Sequence, residues 1–220
     1  MRYIYGDNIG GVKLIQKMGY DSTPAHAARA SFGNISNTEE VTLKDQGLIE
    51  YLAINKHTSP FEHLSATFIL KVPLFARSQI MRHRTFSFNE ISRRYTSQNL
   101  QYYLPISIKE QASKNLQCSS SQDVTNIEAI KEKFAALVEV CNFEYQELLN
   151  LGVARETARM ILPQNTYTCF WMTGNLLNWA KFLKIRCQSD VQLETRLAAL
   201  EIKEALLDEY PVSLGSLLNE

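Results

Sequence analysis

Arg82-His83-Arg84-Thr85-Phe86-Ser87-Phe88-Asn89-Glu90-Ile91-Ser92-Arg93-Arg94-Tyr95 gathers four arginines, a histidine, one carboxylate and three aromatic rings into fourteen residues. The whole chain carries 23 basic and 23 acidic side chains, so this basic block stands in a neutral background. A guanidinium presents a planar fork of donors that matches phosphate or carboxylate oxygens in pairs. The chemistry expected of the run is therefore the holding of an anion. Glu90 separates it from a plain polyanion stripe, because a carboxylate among arginines orients them or accepts a hydrogen bond from a ligand. Ser92 reads as a hydrogen-bonding ligand, since no base stands near it to make a nucleophile. Phe86, Phe88 and Tyr95 suit either the core or the walls of a slot for a flat ring. A purely structural role competes for Arg82, His83 and Arg84: cations in the last turn of a helix stabilise it by about 0.3–1 kcal/mol each.

Other candidates are weaker alone. His57 and His63 flank Ser59-Pro60-Phe61-Glu62, a capping-box pattern that predicts a helix start with free N–H groups for an anion. Arg155 and Arg159 lie four apart on one helix face, and Arg186 sits between an apolar helix and a turn. Cys118, Cys141, Cys169 and Cys187 show no close paired spacing. That argues against a zinc site and a disulfide framework, and suits a reducing, cytoplasmic compartment.

The elements that must carry these residues follow from pattern. A chain of 220 residues with 45% hydrophobic and 21% charged content is long enough for a sizeable core. Neither a leader segment nor a membrane span is expected, and the neutral total weakens a dedicated nucleic-acid role. Residues 12–19 and 65–72 predict strands, as do 166–172. Residues 23–30 and 43–55 predict helices, and Pro73 opens another that runs toward Arg84, so the basic run starts on its last turn. The polar segment 107–126 predicts a mobile surface stretch. Helices are expected over 127–151, ended by Gly152, over 154–162 and over 175–185. A final helix, from the Ser189–Gln192 capping pattern to about Glu209, is ended by Pro211. The pattern is helix-dominated without strict strand–helix alternation or a glycine-rich phosphate loop, which speaks against a Rossmann fold.

Arg82-His83-Arg84, seven residues and Ser92, extended by Asn89-Glu90-Ile91-Ser92-Arg93-Arg94-Tyr95, resembles the signature of flavin-dependent thymidylate synthases. His57-Thr58-Ser59-Pro60-Phe61-Glu62-His63 is similar to a second segment of that family. Arg159-Met160-Ile161-Leu162-Pro163 and the stretch from Asn175 to Arg186, with Gln192 and Glu194 behind it, resemble two more. The resemblance implies an α+β fold: one helix-rich domain over residues 1–220 around a twisted, mostly antiparallel sheet, assembled as a homotetramer whose active sites are shared between subunits. It implies reductive methylation of dUMP to dTMP, with 5,10-methylenetetrahydrofolate as carbon donor, FAD-mediated hydride transfer and NADPH as reductant. FAD would meet His57, Ser59, Arg82, His83, Arg84, Glu90, Asn175, Leu176, Leu177 and Lys181. The nucleotide would meet Gln79, Ile80, Met81, Arg82, Glu90, Ile91, Ser92, Arg93, Arg94, Arg159 and Arg186, with Arg186 as the catalytic charge. No metal, membrane or nucleic-acid partner is implied.

Two departures stand out: Arg93 replaces a small residue, and Leu177 and Lys181 replace polar flavin contacts. None of the four cysteines has the Pro-Cys-His setting of the classical thymidylate synthase. The rival expectation is a non-catalytic nucleotide- or RNA-binding module built on Arg82–Arg94. It leaves Glu90, the neutral total and the matches at His57, Arg159 and Arg186 unexplained.

Overall fold

The computed structural model describes residues 1–36, 38–116 and 118–219. Gln117, inside the polar segment, and Asn37 and Glu220 lie outside the described residues. The elements in chain order are β1 (Arg2–Tyr3), β2 (Gly11–Met18), α1 (Thr23–Ala30), α2 (Leu43–Ile54), β3 (Ser65–Pro73), α3 (Leu74–Ile80), β4 (Ser87–Glu90), β5 (Lys109–Gln111), β6 (Ser119–Asp123), α4 (Ile127–Asn150), α5 (Arg155–Ala158), β7 (Tyr167–Asn175), α6 (Leu176–Arg186), α7 (Leu193–Glu209) and α8 (Pro211–Asn219). Among the described residues, five strands form one sheet in the order β1-β2-β3-β7-β4, and every pairing is antiparallel. This is the α+β layout that the sequence predicts.

The sheet alternates cleanly, as an antiparallel sheet covered on one face must. Phe68 pairs with Met172 and Leu70 with Phe170, and all four are buried. The intervening pairs, Ile69 with Trp171 and Lys71 with Cys169, point to the other face, where Trp171 is 45% exposed. α6, α7 and α8 pack on one another, α8 packs on α2, and α7 lies over β2 and β3. Trp179 of α6 is the hub of the covered face, meeting the rings of Phe68, Phe86 and Phe182 at 5.1, 4.6 and 5.8 Å. Its Nε1 donates to the Ala66 carbonyl at 3.2 Å.

Several expectations change. Residues 59–62 make no capping box: Ser59–His63 is a five-residue 3-10 turn with Thr58 at its N-cap and no side-chain cap bond. The chain has to be extended again at Leu64 to enter β3, so one turn is all that fits. Ser189–Gln192 forms no capping box either, since Gln192 itself precedes α7 without a side-chain cap. Pro211 does not end the helical region; it opens α8, whose first free amides, Val212 and Ser213, donate to the Asp21 carboxylate at 2.8 Å each. Residues 154–162 divide into α5 and a 3-10 turn, Arg159–Ile161, rather than one helix. Within 107–126, β5 and β6 pair as a short two-stranded sheet.

Candidate active site

The basic run is laid across three local structures. α3 ends at Ile80, and Met81 and His83 close its C-terminus by donating to Arg77 and Ile80 carbonyls at 2.9 and 3.1 Å. Arg82 and His83 therefore lie just past the helix rather than on its last turn. Residues 87–90 then pair with β7, Ser87 opposite Thr173 and Glu90 opposite Phe170. Sequence pattern missed this strand, because Ser-Phe-Asn-Glu has little β character and is held by its neighbour. A turn follows, in which the Tyr95 amide donates to the Ser92 carbonyl at 3.0 Å and the Arg94 amide to Ser92 Oγ at 3.2 Å. Phe86 is core: it is 8% exposed, and a Cβ at Gly174 would run into its ring. Phe88 packs on Phe170, whereas Tyr95 is 80% exposed.

The first cluster centres on Arg186, the last residue of α6. Its Nε donates to His83 Nε2 at 3.0 Å and its Nη2 to the Gln79 carbonyl at 2.8 Å. Gln79 in turn donates its amide to Gln192 Oε1 at 2.5 Å. Burial, and then the charge of Arg82, hold the Arg186 pKa below its ordinary value. Burial, then the Arg186 charge, pull the His83 pKa below 6.5. Since Nε2 accepts, the His83 proton sits on Nδ1 and the ring is neutral. The sign follows from linkage: His83 contributes stability in full above pH 6.5, and loses it as pH falls through its depressed folded value. An NMR titration of His83 is expected to show a neutral Nδ1–H ring with a pKa below 6.5. A ring that titrates above that value would contradict the bond.

The second cluster lines a cavity of about 290 Å³ walled by Arg77, Glu90, Ser92, Arg93, Arg159 and Thr168, among others. Glu90 Oε1 accepts from Arg77 Nε at 3.0 Å and from Thr168 Oγ1 at 2.6 Å. Burial lowers the Arg93 pKa, and its Nη1 donates to the Gln98 carbonyl at 2.7 Å. Arg94 is exposed and lies 3.3 Å from Glu156. No ion pair or hydrogen bond joins this cluster to that of Arg186 among the described residues. Arg77 and Thr168 escaped sequence reasoning: they join Glu90 only because β4 lies beside β7 and under α3. A wider cleft of about 900 Å³ lies between α3, α4 and the β5–β6 pair, and Gln79 and Glu194 reach it.

A third group borders the 3-10 turn and the start of α6. Asn175 caps α6, accepting the Asn178 amide at 2.9 Å, and its Nδ2 donates to Glu62 at 3.3 Å. Ser59 and His57 are exposed, with His57 stacked on Tyr51 at 6.2 Å. Arg82, Arg84 and Lys181 are exposed, and their side chains have no protein acceptor among the described residues. Ile80, Leu176 and Leu177 have side chains buried in the core, at 0, 0 and 8% exposure. Met81 also packs against the core, and Ile91 is 39% exposed beside the arginine-lined cavity.

Comparisons with known proteins agree with this layout. A family model described as thymidylate synthase complementing protein matches residues 13–212. The chain is 38% identical to a flavin-dependent thymidylate synthase of Thermosipho melanesiensis, covering 95% of this chain and 90% of that protein. It is also 38% identical to one of Thermus thermophilus, covering 93% and 74%. Among solved structures it is similar to a UMP/dUMP methylase, PolB from Streptomyces cacaoi, bound with 5-Br dUMP. That match has a TM-score of 0.86 and 30% identity, and covers 96% of this chain and 95% of the other.

Proposed function

Because the chain belongs to the flavin-dependent thymidylate synthase family, we propose that it methylates dUMP at C5 to give dTMP, as one domain over residues 1–220. The observation that carries the substrate is the cavity in which Arg159, Arg93, Ser92 and Glu90 converge. Arginine forks suit a phosphate monoester, and the hydroxyl and carboxylate suit its sugar. Arg186, fixed by His83 and Gln79 with Arg82 nearby, would face the uracil and stabilise negative charge at N3 as C5 becomes nucleophilic. Ile80, buried in the core, would support the site from behind, Met81 would border it, Ile91 would form a wall, and Arg94 would have to exchange Glu156 for the nucleotide.

Donors spread along α6, from Asn175 at its start to Arg82 beside Arg186 at its end, fit FAD. Three cations without protein acceptors, Arg82, Arg84 and Lys181, match its two phosphates, and Ser59, His57 and Asn175 add exposed polar groups. Glu90 and His83 complete the proposed cofactor set, with Leu176 and Leu177 supporting it from the core. FAD held there, once reduced by NADPH, would supply the hydride that turns the methylene from 5,10-methylenetetrahydrofolate into a methyl group. The site residues fall into separate clusters within one chain, which supports a homotetramer with active sites shared across subunits. α4 adds to this: Leu137, Val140 and Phe143 recur every third residue and are 64, 58 and 61% exposed. Charging that face, as in Leu137→Glu with Phe143→Glu, is expected to release monomers that have lost both FAD and activity. Sedimentation with a flavin assay checks this, and an active monomer would refute it.

An absorption spectrum of the purified protein tests the proposal. Flavin bands that shift on adding dUMP support it. A colourless protein that takes up no added FAD would overturn it.

A further inference from the structure

The arginine-lined cavity holds a guanidinium from outside the signature run, that of Arg77 on α3. One charged hydrogen bond anchors it. Its Nε donates to Glu90 Oε1, the same oxygen that accepts the Thr168 hydroxyl. An arginine–carboxylate pair frequently closes as a two-pronged fork; this one engages a single nitrogen. The two Nη atoms have no protein acceptor among the described residues, and the side chain keeps 31% of its surface exposed. The Arg159 side chain in the same wall has no protein partner among the described residues. Three guanidiniums, those of Arg77, Arg93 and Arg159, thus face a cavity with one carboxylate, Glu90. The surplus of positive charge suits a dianion. Arg94, by contrast, is absent from the cavity wall and lies beside Glu156.

We propose that Arg77 is a substrate-binding residue, which grips the phosphate monoester of the nucleotide together with Arg159 while Glu90, itself held by Thr168, anchors its Nε. This rests on the reading of the cavity as the dUMP site. Its consequence is a contribution specific to the phosphate. An Arg-to-phosphate contact is worth enough to change affinity by about ten- to a hundredfold.

The test is titration of the flavin-loaded protein with dUMP and with 2′-deoxyuridine, which lacks the phosphate. Arg77→Ala is expected to raise the Kd for dUMP by about ten- to a hundredfold and to leave that for 2′-deoxyuridine within about twofold. Arg77→Lys, which keeps the charge but not the fork, should fall between Arg77→Ala and the parent and guards against misfolding of the alanine variant. If Arg77→Ala weakens both ligands equally, or neither, Arg77 acts only on Glu90 or not at all, and the proposal fails. If the parent protein itself binds no dUMP, the substrate reading fails first and takes this inference with it.

Discussion

Arg186→Ala is expected to lower kcat by about a hundred- to a thousandfold, with FAD content unchanged and a smaller change in the KM for dUMP. The reason lies in how the side chain is held. α6 delivers Arg186 at its C-terminal end, where the helix dipole favours a cation. His83 and the Gln79 carbonyl occupy Nε and Nη2, which leaves Nη1 for the substrate. Burial and the Arg82 charge oppose this cation, so it is retained against a cost. Donors fixed before the reaction need no reorganisation when charge develops, which is why their loss appears in kcat rather than in binding. Arg186→Lys should recover little, because one ammonium cannot meet two fixed acceptors and a ligand in the same plane. Steady-state kinetics on both variants check the expectation; a variant with unchanged kcat would remove Arg186 from the chemistry.

Trp179→Ala is expected to cost about 3–5 kcal/mol of stability, the usual range for emptying a large aromatic site. Trp179 is fully buried, and its ring meets Phe68, Phe86 and Phe182. The substitution also removes the donor to the Ala66 carbonyl. For a chain of this length the midpoint should fall by roughly 2–4 °C per kcal/mol, so about 6–20 °C in all, measurable by thermal unfolding. The effect reaches the site, because Phe86 links the basic run to the core and Phe182 packs edge-on against His83 at 4.9 Å. Loss of activity should accordingly begin below the unfolding transition. An unchanged midpoint would mean that this aromatic cluster does not hold the run in place.

Much of the fold was legible because local rules and tertiary structure agree. Pro24 within the first turn of α1, and Asn175 ahead of α6, mark helices that form as expected. The misses share a cause. α8 is capped by Asp21, a partner nearly two hundred residues away that no local pattern reveals. β4 exists because β7 offers it an edge. The capping box at Ser59 failed because the chain must extend at once into β3, and that at Ser189 because α7 starts only at Leu193. The site divides the same way. Arg82, Glu90, Ser92 and Arg186 carry spacing that points to chemistry, whereas Arg77 and Thr168 acquire a role only when α3, β4 and β7 meet around one carboxylate oxygen.

The most direct test of the account is dTMP formation from dUMP by the purified protein, supplied with FAD, 5,10-methylenetetrahydrofolate and NADPH, with each omitted in turn. dTMP is expected in the complete mixture and none when dUMP, the folate or the reductant is left out. Omission of added FAD should abolish product only in protein stripped of its flavin. A flavin-loaded protein that makes no dTMP in the complete mixture would contradict it.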